Sequence, residues 1–123
     1  MNGPLRGATI GAGKMGLAHS TIINSLPNVK LIAVCEPTTL IQSTFKQFAS
    51  HIATYSDHEK MLKDEQPDFV FITTPSFLHI PIAIDCVKHG SHFFIEKPLA
   101  TNGAEAKPLL EKLNNKNLVT AFY

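Results

Sequence analysis

The sequence predicts an α/β fold built on a doubly wound parallel sheet in a single three-layer domain. Two features carry this expectation. Short β-branched runs alternate with longer amphipathic runs along the whole chain. Several of the short runs are continuously apolar, as parallel strands covered by helices on both faces should be. A third feature, the glycine loop at the first strand–helix junction, is taken up below. At 123 residues the chain has the length of one domain with one core.

The first strand is predicted over 5–11, "LRGATIG", and the first helix over 14–26, "KMGLAHSTIINSL". Pro27-Asn28 ends that helix, and "VKLIAVC" at 29–35 forms the second strand. A helix over 39–50 leads to a weak strand near 52–56, after which Asp57 is placed to cap a helix over 57–65. Gln66-Pro67-Asp68 stops that helix ahead of the strand "DFVFITT" at 68–74. A helix over 79–90 ends at Gly90, which has the position of a left-handed terminator. The fifth strand, "HFFIE" at 92–96, precedes a helix over 105–116, closed by Asn114-Asn115, and a last strand at 118–123. Pro108 lies inside that last helical pattern, so the helix either kinks there or begins just before it. Six strands and five helices with right-handed crossovers give the sheet order 3-2-1-4-5-6.

Composition narrows the functional classes. Eleven basic and ten acidic side chains leave a net charge of +1, with no basic stripe or Arg cluster, so nucleic acid is not an expected partner. No apolar run reaches the roughly 18 residues of a membrane span, and the N-terminus lacks the pattern of a secretion signal. No membrane association is expected, and the chain reads as cytoplasmic. Cys35 and Cys86 show no CxxC spacing and no His set to complete a zinc site, so both are expected as free buried thiols and no metal is expected.

Gly11-Ala12-Gly13-Lys14-Met15-Gly16 matches GxGxxG, a pattern that alone also describes a flexible turn. Here it follows a strand, opens a helix and is followed twenty residues after Gly16 by Glu36, at the end of the second strand. That context is the dinucleotide-binding fingerprint of a Rossmann fold. Gly11 would permit the tight turn, Gly13 the approach of a pyrophosphate to the backbone, and Gly16 the close packing of helix on strands. The N–H groups near Lys14 and Met15 would face the phosphates at a helix N-terminus. Lys14 adds a charge there or is simply solvated. Glu36 would accept hydrogen bonds from the adenosine ribose hydroxyls and repel a 2′-phosphate, and no Arg in "EPTTLIQSTFKQ" offsets that repulsion. NAD is expected over NADP.

Ligands of such sheets bind beyond the carboxyl ends of the strands at the switch point. Thr73, Thr74 and Pro75 close the fourth strand there and form a wall of the same crevice, with Pro75 turning the chain out of the sheet. His79, at the start of the next helix, fits a pocket residue or an ordinary cap or surface residue. Glu96, Lys97 and Pro98 end the fifth strand at the same edge. A lysine in a cleft wall is a candidate proton donor, although most lysines are merely solvated.

Taken together, "ATIGAGKMGLAH", "VCEP" and "ITTPSFLHIPIAIDCVKHGSHFFIEKPLA" resemble the N-terminal half of the Gfo/Idh/MocA oxidoreductases, named for glucose-fructose oxidoreductase, inositol dehydrogenase and a rhizopine catabolism protein. The resemblance covers essentially the whole chain. It implies that Lys97 lies beside the nicotinamide and the reacting hydroxyl, as the catalytic residue. It implies that Pro98 bends the strand end so that Glu96 and Lys97 line the cofactor site, and that Thr74, Pro75 and His79 line the dinucleotide pocket. Members of the family are roughly three times this length, with a second α/β domain that supplies most substrate contacts and a catalytic Asp/His pair. The chain is therefore expected to be a cofactor domain, 1–123, of an enzyme acting on a small-molecule sugar, cyclitol or related alcohol. Alone it is expected to bind NAD weakly and turn over little. An alternative is a non-catalytic sensor that uses the dinucleotide as a signal. An apolar edge near Phe122 and Tyr123 would favour self-association.

Overall fold

The computed structural model describes residues 3–97, 103–114 and 116–122. Six parallel strands alternate with five helices: β1 (Leu5–Ile10), α1 (Lys14–Ser25), β2 (Val29–Cys35), α2 (Thr39–Phe48), β3 (Ala53–Tyr55), α3 (His58–Glu65), β4 (Phe69–Ile72), α4 (His79–Lys88), β5 (His92–Ile95), α5 (Gly103–Leu113) and β6 (Thr120–Phe122). They form one sheet in the order β3-β2-β1-β4-β5-β6, as the element order and crossover rule predict. The chain reverses its direction of growth between β1 and β4, so their carboxyl ends flank the switch point.

Two apolar layers hold the helices to the sheet. On one face α3, α4 and α5 bury Met61, Leu62, Ile82, Cys86 and Leu109 against Ala8, Ile10, Val70, Ile72 and Ile95. On the other, Ile23 of α1 packs with Leu31 and Val34 of β2. Inner strands β1 and β2 are buried continuously towards their carboxyl ends, as fully covered parallel strands are. β4 and β5 depart from the expectation of double cover. Val70, Ile72, Phe93 and Ile95 are buried, but the alternate residues Phe69, Phe71, His92 and Phe94 are only half-buried. Among the described helices only α1 reaches β4 on that face, so an apolar run of aromatic residues stands in for helix cover there.

Local signals act as the sequence predicts. Asp57 caps α3 by accepting the Glu59 N–H at 3.0 Å. Gln66, the α3 terminator, takes the left-handed conformation at φ 47°, and Gly90 after α4 does so at φ 74°. β4 is shorter than the 68–74 run because Thr73 leaves the ladder and Ser76–Leu78 coil into a 3-10 turn. Helix α5 starts at Gly103 and runs through Pro108, so it neither begins at the proline nor stops there. The proline forgoes one backbone hydrogen bond, to the carbonyl four residues earlier, within a helix held by Ala106 and Leu109 in the core.

Both cysteines are free and buried. Burial, aided by the charges of Asp57 and Glu36, pushes the Cys35 thiol up to about 12, and burial beside Asp85 raises Cys86 as well, so neither is a reactive thiolate. No helix among the described residues is long and apolar enough to cross a membrane. The Phe122 side chain and Tyr123, invoked for self-association, lie outside the described residues.

Candidate cofactor site

The glycine loop is shaped by contacts that leave no room for side chains at two of its positions. Gly11 adopts φ +97°, and a Cβ there would stand 2.8 Å from the Thr73 carbonyl carbon. A Cβ on Gly16 would fall 2.0 Å from the Gly11 carbonyl oxygen, so the first turn of α1 docks directly on the loop backbone. Gly13 is different: a Cβ there would meet nothing within 4 Å. Its missing side chain opens space beside the first turn of α1, where N–H groups lack helical partners. Lys14 and Met15 occupy that turn, and the placement of their side chains lies outside the description.

Three strand ends converge on this loop, each through a polar side chain. From β2, Glu36 accepts the Ala12 N–H on Oε1 at 2.9 Å and the Thr38 N–H on Oε2 at 2.8 Å. Burial pushes the Glu36 carboxyl up, but hydrogen bonds from the Thr38 side chain and from the Ala12 and Thr38 backbone outweigh it and hold the group below its ordinary value of 4.5. It is a buried, ionised acid that keeps spare lone pairs. From β4, Thr73 donates its hydroxyl to the Gly11 carbonyl at 2.8 Å and its N–H to Ile10 at 2.9 Å. The Thr73 hydroxyl is thus committed to the loop, whereas the buried Thr74 Oγ1 has no partner among the described residues.

The third tether was not foreseen. Glu96, following β5, places Oε2 3.0 Å from Nε2 of His19, on the second turn of α1. The imidazole sits edge-on to Phe71 at 5.0 Å and 5.5 Å from Phe94. The sequence signals the position of His19 but not its partner: it is three residues after Gly16, so it shares the helix face that packs on the sheet. Lys97 follows Glu96 directly and is exposed at the strand-end edge, and Pro98 lies outside the described residues.

A cleft of about 410 Å³ lies between the glycine loop, Glu36 and the Thr73–Pro75 turn, lined also by Ile41 and Leu78; Glu96 and Lys97 are not in its lining. His79 is not in its lining. It is 1 % exposed, and its Nε2 lies 2.8 Å from the Thr74 carbonyl oxygen, which only accepts; Nε2 therefore carries the proton and anchors the loop that forms the cleft wall. The cleft fits a dinucleotide in its chemistry. It offers apolar walls at Ile41, Pro75 and Leu78, an acid at the β2 end, an open backbone approach at Gly13, and the unpaired Thr74 hydroxyl. Away from it, ligand-type atoms of His58, Glu59 and Asp85 lie within 4.8 Å of one another. His58 Nε2 is already bonded to Asp85 at 2.7 Å and Lys88 stands 3.8 Å from the same carboxylate, so these side chains already satisfy one another.

Comparison with known proteins agrees with this geometry. Levoglucosan dehydrogenase of Pseudarthrobacter phenanthrenivorans is 33% identical over 120 residues, which is 89% of this chain and 30% of that protein. The NAD(+)-dependent scyllo-inositol 2-dehydrogenase of Bacillus subtilis is 28% identical over 123 residues, covering 97% of this chain and 35% of the relative. The crystal structure of myo-inositol 2-dehydrogenase from Lactobacillus plantarum superposes with a TM-score of 0.90 at 28% identity, over 98% of this chain and 36% of that one. The chain thus spans about a third of the length of the relatives it matches. A family model also matches residues 5–123, nearly the whole chain, and by that match the chain belongs to the Gfo/Idh/MocA oxidoreductase family with its NAD-binding Rossmann fold.

Proposed function

We propose that residues 1–123 form the NAD-binding part of an oxidoreductase that moves a hydride between the nicotinamide and a CH–OH group of a sugar, cyclitol or related alcohol. The observation that carries this reading is the convergence of Glu36, Thr73 and Glu96 on one glycine loop and its helix. In this reading the ionised Glu36 would serve the adenosine end of the dinucleotide, and Lys97, exposed at the end of β5, the nicotinamide end. The relatives named above act, by their names, on inositols and on levoglucosan, which supports a polyol-like substrate. Substrate contacts would come in large part from protein outside these residues.

When bound, NAD supplies hydride acceptance and return, and the chain's own residues do the rest. The first turn of α1 and the open backbone at Gly13 would hold the pyrophosphate, with Lys14 and Met15 contributing N–H groups. Glu36 would receive the adenosine ribose hydroxyls on its remaining lone pairs. Thr73, Thr74, Pro75 and His79 would form or hold the wall opposite, with Thr74 Oγ1 free to bond the ligand. Lys97 Nζ would take the proton from the reacting hydroxyl as the hydride leaves carbon, and return it in the reverse direction.

Glu36 also favours NAD over NADP. A 2′-phosphate beside a buried carboxylate costs on the order of 1–4 kcal/mol, and no arginine follows Glu36 in its loop and helix to offset it. Titration calorimetry should find NAD bound about tenfold or more tighter than NADP, and Glu36→Ala should narrow that ratio. NADP bound as tightly as NAD would overturn the assignment.

A further inference from the structure

We propose that His19 is a positioning residue for the nicotinamide half of the site, acting through Glu96 on the backbone that carries Lys97. The inference rests on the cofactor reading above and goes beyond it, because the helix holding the phosphates is thereby coupled to the strand end that carries the chemistry.

The geometry is specific. His19 and Glu96 are 77 residues apart in the chain, and their side chains meet at 3.0 Å with 18% and 15% exposure. The imidazole leans on Phe71 and Phe94, which pair directly across β4 and β5 and stack at 5.0 Å. Rings on the β4 and β5 side thus fix where the imidazole points, and the imidazole fixes Glu96. A carboxylate in a hydrogen bond of this kind loses rotamers it would otherwise explore, and the next peptide unit, that of Lys97, is restrained with it. The Glu96 N–H adds a second restraint by donating to the Ile72 carbonyl at 3.0 Å. The resulting division of labour is testable. Glu36 from β2 and Glu96 from β5 both anchor to the segment from Ala12 to His19, one at the adenosine end and one at the nicotinamide end. Each end should answer to its own acid.

The test compares two ligands on the 123-residue chain: NADH, and ADP-ribose, which lacks the nicotinamide. The chain has no Trp, so NADH emission reads binding directly, and ADP-ribose is read by its displacement of NADH. His19→Phe keeps a ring against Phe71 and Phe94 and removes the bond to Glu96. It should weaken NADH about five- to tenfold, the scale of one hydrogen bond, and leave ADP-ribose within about twofold. Equal losses for both ligands, or no loss for either, would overturn the proposal. Should His19→Phe fail to fold, Glu96→Ala removes the same bond and is read the same way, and failure of both to fold would assign the pair to stability alone and also overturn it. An unsubstituted chain that binds neither ligand would instead sink the cofactor reading itself.

Discussion

Glu36 is 8 % exposed and still charged, which is a costly combination for a side chain in no ion pair among the described residues. Donors aimed at each oxygen resolve the cost: Ala12 on one and Thr38 on the other. Because the folded value lies below the ordinary 4.5, ionised Glu36 stabilises the fold at neutral pH. That contribution is complete above the unfolded value and disappears as pH falls through the depressed folded value. A glutamine would turn its amide donor towards one of the two N–H groups, leaving it unsatisfied. Glu36→Gln should therefore cost about 1–3 kcal/mol at pH 7. Thermal melts of the ligand-free chain should show the gap between the two proteins shrinking as pH drops below the ordinary value of 4.5. A gap independent of pH would mean that shape, not charge, sets the role of Glu36. The sequence announced this residue by its spacing from the glycines, but as a ligand for ribose. Its service to the Ala12 N–H is a tertiary contact that no spacing rule contains.

At the scale of elements, the three glycines of the loop divide into structural and functional kinds, a distinction that GxGxxG does not make. Gly16 is where α1 meets the loop backbone, with the Gly11 carbonyl oxygen 2.0 Å from a built Cβ and the Thr73 hydroxyl 2.8 Å away. The Gly11 backbone cannot yield without moving the loop or the helix. Gly16→Ala should destabilise by about 1–3 kcal/mol or more, visible as a lowered melting temperature without any ligand. Gly13, with φ −73° and open space around it, tolerates a methyl in the fold. Gly13→Ala should melt like the parent and lose NADH affinity, because the methyl stands where the phosphates would approach. If Gly13→Ala bound NADH normally, the phosphate site would not be at this turn. Element order and caps were legible from the chain itself: Asp57 and Gly90 act within a few residues of themselves. Pro108 and the His19–Glu96 bond were not legible, since the first is decided by packing of α5 against the core and the second by two strand ends meeting a helix face.

For the whole molecule, sheet order follows from alternation and handedness, and the structure has that order. The edge that this order creates gathers groups suited to a cofactor: the glycine loop, the Glu36 carboxylate, the Thr73–Pro75 wall and Lys97. Two titrating side chains at that edge are already engaged with other groups. Glu96, the nearest acid in sequence, is taken by His19, and His79 is committed to the Thr74 carbonyl. Hydride transfer needs the alcohol carbon held against the nicotinamide, and small misplacements cost orders of magnitude in rate. A single exposed lysine at a strand end cannot impose that geometry. Binding and turnover should therefore separate in this chain. With NAD and either an inositol or levoglucosan present, the 123 residues should bind cofactor, yet NADH absorbance should not rise above the rate without protein. Joined to the remaining two thirds of a family-length partner sequence, the same residues should support turnover that Lys97→Ala abolishes while cofactor affinity stays within about threefold, since in the proposed function Lys97 would act on the substrate proton and not on the dinucleotide. Sustained NADH formation by residues 1–123 alone would show that the substrate site lies among them and would move the search for its second wall to the half-buried aromatic face of β4 and β5.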